Sequence, residues 1–370
     1  MKNKLILTQI LFTALATSLF ADNENYDYKD VSGNDYRYGS HKNSSWYYTT
    51  AIGTTFSNDG TDYTSSNFSY ANLTNATFSS AILTNANFTN ASLISADLTN
   101  ADFTDAIIAG ADFSSTKNFT STQLYSTASY KNKNLSGISL GSDNDLSGWN
   151  FVGQNMTGAS FNYANLTGAS FTNTTLTNIF FSNADLTNAD FTNANLTNSK
   201  IYSATLTDTN FTNADLRGAN MAWASGAPIY KNTIMSDGKI QNFSMTSSAD
   251  NFSIRKYTPA TTAVGKKISA KFAEDASVSG GAMLTLEQGA EVEVVENATL
   301  SFGADSSLLI NTDKDGSTIF SVESGAGLIF ANGATLTVNI IDADSALNVD
   351  GYKFAVMNWN DDSRMTCLLY

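Results

Sequence analysis

A period of five residues runs through most of this chain and limits its folding more than any other feature. From Ala71 the sequence reads ANLTN ATFSS AILTN ANFTN ASLIS ADLTN ADFTD AIIAG ADFSS. Large apolar residues recur at Phe68, Leu73, Phe78, Leu83, Phe88, Leu93, Leu98, Phe103, Ile108 and Phe113. Leu135 and Leu140 resume the beat after an interruption, and one inserted residue later it runs from Leu146 to Met221 in steps of five. A helix repeats every 3.6 residues and a flat strand every two, so neither fits. On an α-helix successive large side chains would turn by about 140° and smear around the surface. The chain must therefore turn once per quintet, so that each large side chain points the same way.

Alanine usually stands two residues before the large one, as at Ala71, Ala76, Ala86, Ala164, Ala184 and Ala214. A small and a large inward residue, separated by an outward Asn or Asp, suit a short strand followed by a tight corner. Four corners close a square coil, and stacked coils hydrogen-bond to one another. The register places Phe151, Phe171, Phe191 and Phe211 in one column, with Leu146, Leu166, Leu186 and Leu206 in its neighbour. Seven such coils at about 4.8 Å make a rod roughly 34 Å long. Each buried Leu or Phe contributes about 1.5–3 kcal/mol, most of it cancelled by chain entropy.

The pattern A-(D/N)-(L/F)-(T/S)-(N/G) resembles the pentapeptide-repeat proteins over about residues 66–221. The resemblance implies an all-β, right-handed quadrilateral β-helix, with the central Leu or Phe and the preceding Ala inside and three polar residues facing water. Outward Thr74, Asn75, Thr84, Asn85, Thr187 and Asn188 then serve solubility and hydrogen bonds between coils.

The remaining segments read differently. Lys2 and Lys4, the apolar run Leu5–Phe20 and Ala21 before Asp22 have the order of a secretory signal peptide over 1–21. The run is short and polar for a membrane span, so the mature chain is expected outside the cytoplasm, in periplasm, medium or at the cell surface of a bacterium, with no transmembrane helix after cleavage. Residues 22–65 hold Tyr26, Tyr28, Tyr36, Tyr38, Trp46, Tyr47 and Tyr48. They are expected as an aromatic-rich cap on an otherwise open coil end, with a carbohydrate-binding platform as the alternative. The beat fails over about 114–134. There Ser121 or Thr122 is expected to cap a short helix with Leu124, Tyr125, Ala128 and Tyr130 on its apolar face, projecting from the rod. Trp149 stands where Ala is expected and is read as sealing the coil displaced by the extra residue near Asp143–Asp145.

Residues 222–280 read as linker and transition, Trp223 and Ile229 following the last coil, and 281–360 as a second β-rich region, solenoid- or sandwich-like, before a tail at 361–370. Its period is eight: GAMLTLEQ GAEVEVVE NATLSFGA, with Leu284/Leu286, Val292/Val294, Leu300/Phe302 and Leu336/Val338 alternating as strands. It resembles the strand-turn passengers of exported bacterial surface proteins. The segment from NTIMSDGKIQNFSM to ALNVDGYKFAVMNW is also similar to the β-rich module that follows pentapeptide rods in some of them. Those proteins often continue into a sorting signal or an outer-membrane barrel, whereas this sequence stops at SRMTCLLY, which leaves anchoring open.

Composition then excludes function classes. Twenty Lys and Arg against 34 Asp and Glu give a net charge of −14, which disfavours nucleic acid and anionic lipid as partners. With one histidine (His41) and one cysteine (Cys367), a Cys/His zinc site, a Ser-His-Asp triad, a Cys-His dyad and a disulfide framework all lack their parts. Paired carboxylates such as Asp185 and Asp190 recur because the repeat tolerates Asp at its outward position. Asp-Gly pairs at Asp237, Asp315 and Asp350 are turn signals. Asn-x-Thr triplets arise from the repeat and do not mark glycosylation.

No catalytic, cofactor-binding or metal residue is assigned, and no cofactor. The reading is a non-catalytic exported structural or protein-interaction scaffold at the cell envelope or surface, able to associate end to end. Two alternatives stand beside it. One is a DNA-mimicking topoisomerase binder, by resemblance to pentapeptide proteins that bind gyrase and confer quinolone resistance; residues 66–221 carry ten acids and five bases, a thin stripe. The other is a surface adhesin of autotransporter-passenger type that binds carbohydrate.

Overall fold

The computed structural model describes residues 22–37, 40–57, 60–142, 144–245, 250–255, 268–279, 282–287, 290–303, 305–312, 319–322, 327–330, 335–340, 357–359 and 365–367. Residues 1–21, expected as a signal peptide, and Tyr38, Asp143, Asp315 and Asp350 lie outside them. The fold is a β-solenoid of about ten turns, nearly all-β. The described residues group into two units. One holds those up to Ala189 with Lys200–Thr207 and Met221–Gly226; the other holds Asp190–Ser199, Asp208–Asn220 and those from Ala227 on.

In the regular stretches of the first unit, residues five apart bridge to residues twenty further on: Asp62 to Ile82, Asn67 to Asn87, Asn72 to Ser92 and Thr77 to Asp97, all parallel. Four bridges per coil make four walls. The walls are too short for extended strands; the exceptions are β1 (Thr55–Ser57) and β2 (Thr77–Phe78), which pair in parallel. The unit Ala71–Asn75 shows why each letter of the repeat is what it is. The Ala71 amide donates to the Phe68 carbonyl at 3.1 Å and closes a corner. Asn72 donates to Thr49 of one neighbouring coil at 2.8 Å, and Leu73 and Asn75 donate to Ser92 and Ile94 of the other at 2.7 and 2.9 Å. The last amide, of Thr74, donates to the side-chain Oδ1 of Asn72 at 3.2 Å, and so does the Thr74 hydroxyl at 2.7 Å. All five amides are thus satisfied. Asn or Asp caps the corner and Thr braces the cap.

The fifth residue holds positive φ: 57° at Asn75 and Asn85, 56° at Asn90, 54° at Asn100. It is the third residue of its β-turn, and among the common turns only type II needs positive φ there and not at the second. Asn and Gly are the residues that enter that region at low cost, which accounts for the N/G at the end of the repeat. Gly110 (φ +73°) shows the limit, since a Cβ there would stand 2.0 Å from Asn90 Oδ1. The large residues from Phe68 to Phe113 are all buried, and so are their alanines. Phe151 stacks on Phe171 at 5.0 Å, as the column register requires. Of the outward Thr expected to bond between coils, Thr74 meets the Ser92 hydroxyl at 3.3 Å and Thr84 donates to Asp102 at 3.2 Å, while Thr187 and Thr197 serve their own corners through Asp185 and Asn195.

The segment 22–65 is itself coiled, and this corrects its reading as a cap. Asn25 bridges Ser45, Asp30 bridges Thr50 and Asp35 bridges Thr55. Tyr36, Trp46, Phe56 and Tyr63 fill the interior, with Trp46 stacked on Tyr26 at 3.9 Å. In the second of these coils and at the start of the next, Ser or Thr replaces the inward alanine, its hydroxyl donating to a carbonyl of the adjacent coil: Thr49 to Tyr26 at 2.7 Å, Thr54 to Val31 at 3.0 Å and Ser66 to His41 at 2.6 Å. Bridges from Ser40 to Asp62 and Ser45 to Asn67 span two extra residues, which puts this stretch out of phase with the beat that follows.

The interruption is two short helices, α1 (Ser121–Ser126) and α2 (Ala128–Lys131). Thr120, and neither Ser121 nor Thr122, caps α1, in a capping box with Gln123; Thr127 caps α2. The insertion packs onto the coil and does not project from it. Leu124 is buried, and Ala128 donates to the Ala106 carbonyl as Asp105 donates to that of Ser126, both at 2.9 Å. Gln123 Nε2 donates to the Leu98 and Ala101 carbonyls at 2.8 and 2.9 Å, supplying donors that the diverted coil no longer provides. Trp149 is buried beside Phe119 and Tyr125, and the bridge from Ser139 to Ser160 carries the one extra residue.

The second unit has square coils of its own: Asp190 bridges Asn210, Asn195 bridges Asp215, and these reach Ile229 and Ile234. Phe191 stacks on Phe211 at 5.2 Å and Phe211 on Tyr230 at 5.8 Å. A hairpin follows, β3 (Thr233–Ile234) and β4 (Ile240–Gln241), turning at Asp237-Gly238. Ten strands then wind as a three-sided parallel solenoid. These are β5 (Asn251–Ile254), β6 (Ala270–Phe272), β7 (Ala276–Val278), β8 (Met283–Leu286), β9 (Glu291–Val294), β10 (Thr299–Phe302), β11 (Ser307–Thr312), β12 (Ile319–Val322), β13 (Gly327–Phe330) and β14 (Thr335–Ile340).

Strands three apart share a sheet: β5-β8-β11-β14, β6-β9-β12 and β7-β10-β13. Three eights make one 24-residue turn, as Met283 paired with Ser307 shows. Of the two architectures open from sequence, this is the solenoid. Alternate residues Leu284, Leu286, Val292, Val294, Leu300 and Phe302 are buried. Much of the expected linker, β5 to β7, belongs to it. β15 (Met357–Trp359) and β16 (Met365–Cys367) run antiparallel, β16 along β12.

Candidate functional site

The corner chemistry uses up the groups that might otherwise react. Asp185 accepts from the amide and hydroxyl of Thr187 at 3.0 and 2.6 Å, and Asp190 does the same with Thr192. Asp102 takes Thr104 in this way and the Thr84 hydroxyl on its other oxygen. Its burial works to raise the carboxyl, but these donors prevail and hold it below its ordinary range. Asp62 behaves alike, with burial opposed by Thr64 and Lys42. Among the described residues no three of His, Cys, Asp and Glu are placed to hold a metal ion. His41 is buried in the aromatic interior, stacked on Tyr63 at 5.0 Å, with Nδ1 3.3 Å from Glu24 Oε2. An open cleft beside α1 is lined by Thr99, Ala101, Asp102, Phe103, Asn118 and Gln123.

The feature that departs from the repeat is aromatic. The tyrosines of 22–65 divide by register: Tyr26 and Tyr36 point inward with Trp46, while Tyr28 and Tyr48 occupy positive-φ corners (57° and 52°) and point out. Tyr70 holds the same corner one coil on, at 60°. The three rings stack in order, Tyr28 on Tyr48 at 5.7 Å and Tyr48 on Tyr70 at 4.8 Å, with planes within 5°. Tyr47 stands perpendicular to all three, at 5.6, 4.7 and 5.8 Å. Desolvation first, and then the three phenols, push the Tyr47 hydroxyl up. The corner rings are 72, 47 and 42% exposed. From sequence Tyr28, Tyr47 and Tyr48 were legible as part of an aromatic cluster and Tyr70 was not; the fifth-position register, once extended to residue 26, separates the outer rings from the inner ones. Tyr163 and Trp223 also hold positive-φ corners and are exposed, with Trp223 edge-on to Tyr202 at 4.8 Å.

Family models described as "Pentapeptide repeats (8 copies)" and "Pentapeptide repeat region" match residues 81–117 and 145–221. These segments are pentapeptide repeats. Among solved structures the chain is similar to HetL, a pentapeptide repeat protein involved in heterocyst differentiation regulation from the cyanobacterium Nostoc sp. strain PCC 7120. Identity is 23% over 60% of this chain and 90% of that one, with a TM-score of 0.29. It is similar to a pentapeptide repeat protein of the Arabidopsis thaliana thylakoid lumen at 26% identity, over 31% of this chain and 79% of the other, TM-score 0.24. It is also similar to full-length QnrB1, a plasmid-mediated fluoroquinolone resistance protein, at 13% identity over 55% and 86%, TM-score 0.18. No curated protein matches. No described helix is long and apolar enough to cross a membrane.

Proposed function

We propose that this pentapeptide-repeat chain is a non-catalytic scaffold, exported to the cell envelope or surface of a bacterium, that meets a partner through the outer face of its coils. One observation carries the reading: the polar side chains of the repeat are committed to closing corners, as Asp185 and Asp190 are. What remains free to vary is the outward surface, where bulky side chains stand without disturbing the interior. Export rests on the order of charged, apolar and small residues over 1–21.

The test is fusion of residues 1–60 to alkaline phosphatase, which folds active only where disulfides form, with N-terminal sequencing of the mature protein. Activity and a cleaved N-terminus near Asp22 are expected. An inactive, uncleaved cytoplasmic fusion overturns the placement.

A further inference from the structure

A tyrosine at a positive-φ corner is a costly choice. Left-handed backbone costs a non-glycine residue roughly 1–2 kcal/mol, less for Asn, and most corners of this chain carry Asn, Ser or Gly. Yet one column holds Tyr28, Tyr48 and Tyr70 in three successive coils. Their rings lie outside, so they add little to the core. A local rule broken three times in one column, on the surface, marks selection for something other than stability.

We propose that the Tyr28–Tyr48–Tyr70 ladder, braced by Tyr47, is a binding surface for a neutral polysaccharide strand. The proposal rests on reading the coils as a binding scaffold, and names the partner. The rings are stacked face to face, so the surface offers a row of ring edges and phenolic hydroxyls, each hydroxyl a donor and an acceptor. The rungs follow one another at 5.7 and 4.8 Å, close to the coil spacing of about 4.8 Å. Stacking and the perpendicular Tyr47 hold it in place before any ligand arrives, which lowers the entropic cost of binding. An extended polymer rich in hydroxyls can lie along it and hydrogen-bond at each rung.

Other occupants fit worse. A polyproline segment docks between aromatic rings set apart. Rings 4.8 and 5.7 Å apart leave no room for a third, which needs about 3.5–4 Å on each side. Polyanions face a chain of net charge −14. A second copy meeting the first coil head to head opposes like charges, since residues 22–37 carry Asp22, Glu24, Asp27, Asp30 and Asp35 against Lys29 and Arg37.

The purified full-length chain is tested for co-sedimentation with microcrystalline cellulose and with chitin, and for binding to soluble laminarin by calorimetry. Binding to at least one is expected. The triple variant Tyr28→Asn, Tyr48→Asn, Tyr70→Asn should lose at least about tenfold in affinity. Because Asn is the native choice at other corners, its melting temperature should be unchanged or higher. Tyr163→Asn should bind as the parent does. Failure of all three polysaccharides overturns the proposal, as does undiminished binding by the triple variant. A parent dimer that the triple variant converts to monomer also overturns it, assigning the ladder to a second copy. The measurement uses purified protein, so it stands or falls separately from where the chain resides in the cell.

Discussion

Phe151 lies ring to ring with Phe171, twenty residues on, at 5.0 Å and with planes 12° apart. One coil therefore consumes four quintets, and each interior side chain is packed by its counterparts in the coils above and below. Phe171→Ala should cost about 3–5 kcal/mol and Phe171→Asp more, whereas Thr172→Ala should cost about 1 kcal/mol or less. Urea unfolding with amide exchange reads both, the loss of protection being centred on neighbouring coils. Equal effects at 171 and 172 would falsify the interior assignment.

Corner conformation gives a second, opposite test. Asn188 holds φ 57°. Asn188→Ala should destabilise by about 1 kcal/mol, and Asn188→Gly should be near neutral. If alanine is tolerated as well as glycine by thermal melting, the corner is not left-handed.

Acid should loosen the square coils. Asp30 is held below its ordinary 3.8 by the Ser32 side chain and amide, and Asp35 by Arg37. Asp62 and Asp102 are also lowered, burial being outweighed by their donors. A carboxyl that is more acidic folded than unfolded adds stability above its unfolded value, and that stability is lost as pH falls through the folded one. Melting temperature should thus be level down to about pH 5 and fall steadily below pH 4. A melting temperature that rises on acidification would contradict the capping role.

Arg217 is fully buried and pairs with Asp215, Nη2 to Oδ2 at 2.6 Å and Nε to Oδ1 at 3.0 Å. It also donates to the carbonyls of Arg255 and Ile268 at 2.6 and 3.3 Å. Arg217→Met leaves a buried carboxylate and two carbonyls short of a donor. About 3–5 kcal/mol should be lost, and the additional change Asp215→Asn should recover part of it. Denaturant midpoints of the single and double variants decide this, a loss below about 1 kcal/mol speaking against a closed pair.

At the insertion, Gln123→Leu removes the amide that serves Leu98 and Ala101 and the reciprocal half of the Thr120 cap. A loss of about 1–3 kcal/mol is expected, with proteolysis newly focused on residues 114–134. Unchanged protease resistance would mean that the helices are not anchored by this side chain.

The five-residue beat determined by itself that the large residues from Phe68 to Leu216 turn into their own coils, because no regular helix or strand can gather them otherwise. The eight-residue beat likewise announced strands from Leu284 to Phe302, though not how they assemble; three sheets, not two, emerge only from which strand pairs with which. Two coils at 22–65 escaped because Glu24, Lys29 and Asn34 stand in for alanine in the first and Ser44, Thr49 and Thr54 in the second, His41 and Ala51 for the large residue, and two extra residues break the phase. The capping residue Thr120 was missed by one position, since only backbone geometry distinguishes a cap from a first turn. Which aromatic rings face the core and which face water was settled by tertiary structure. Tyr26 and Tyr28 are chemically alike, and the two-residue offset that buries one and exposes the other has meaning only once the corners are placed.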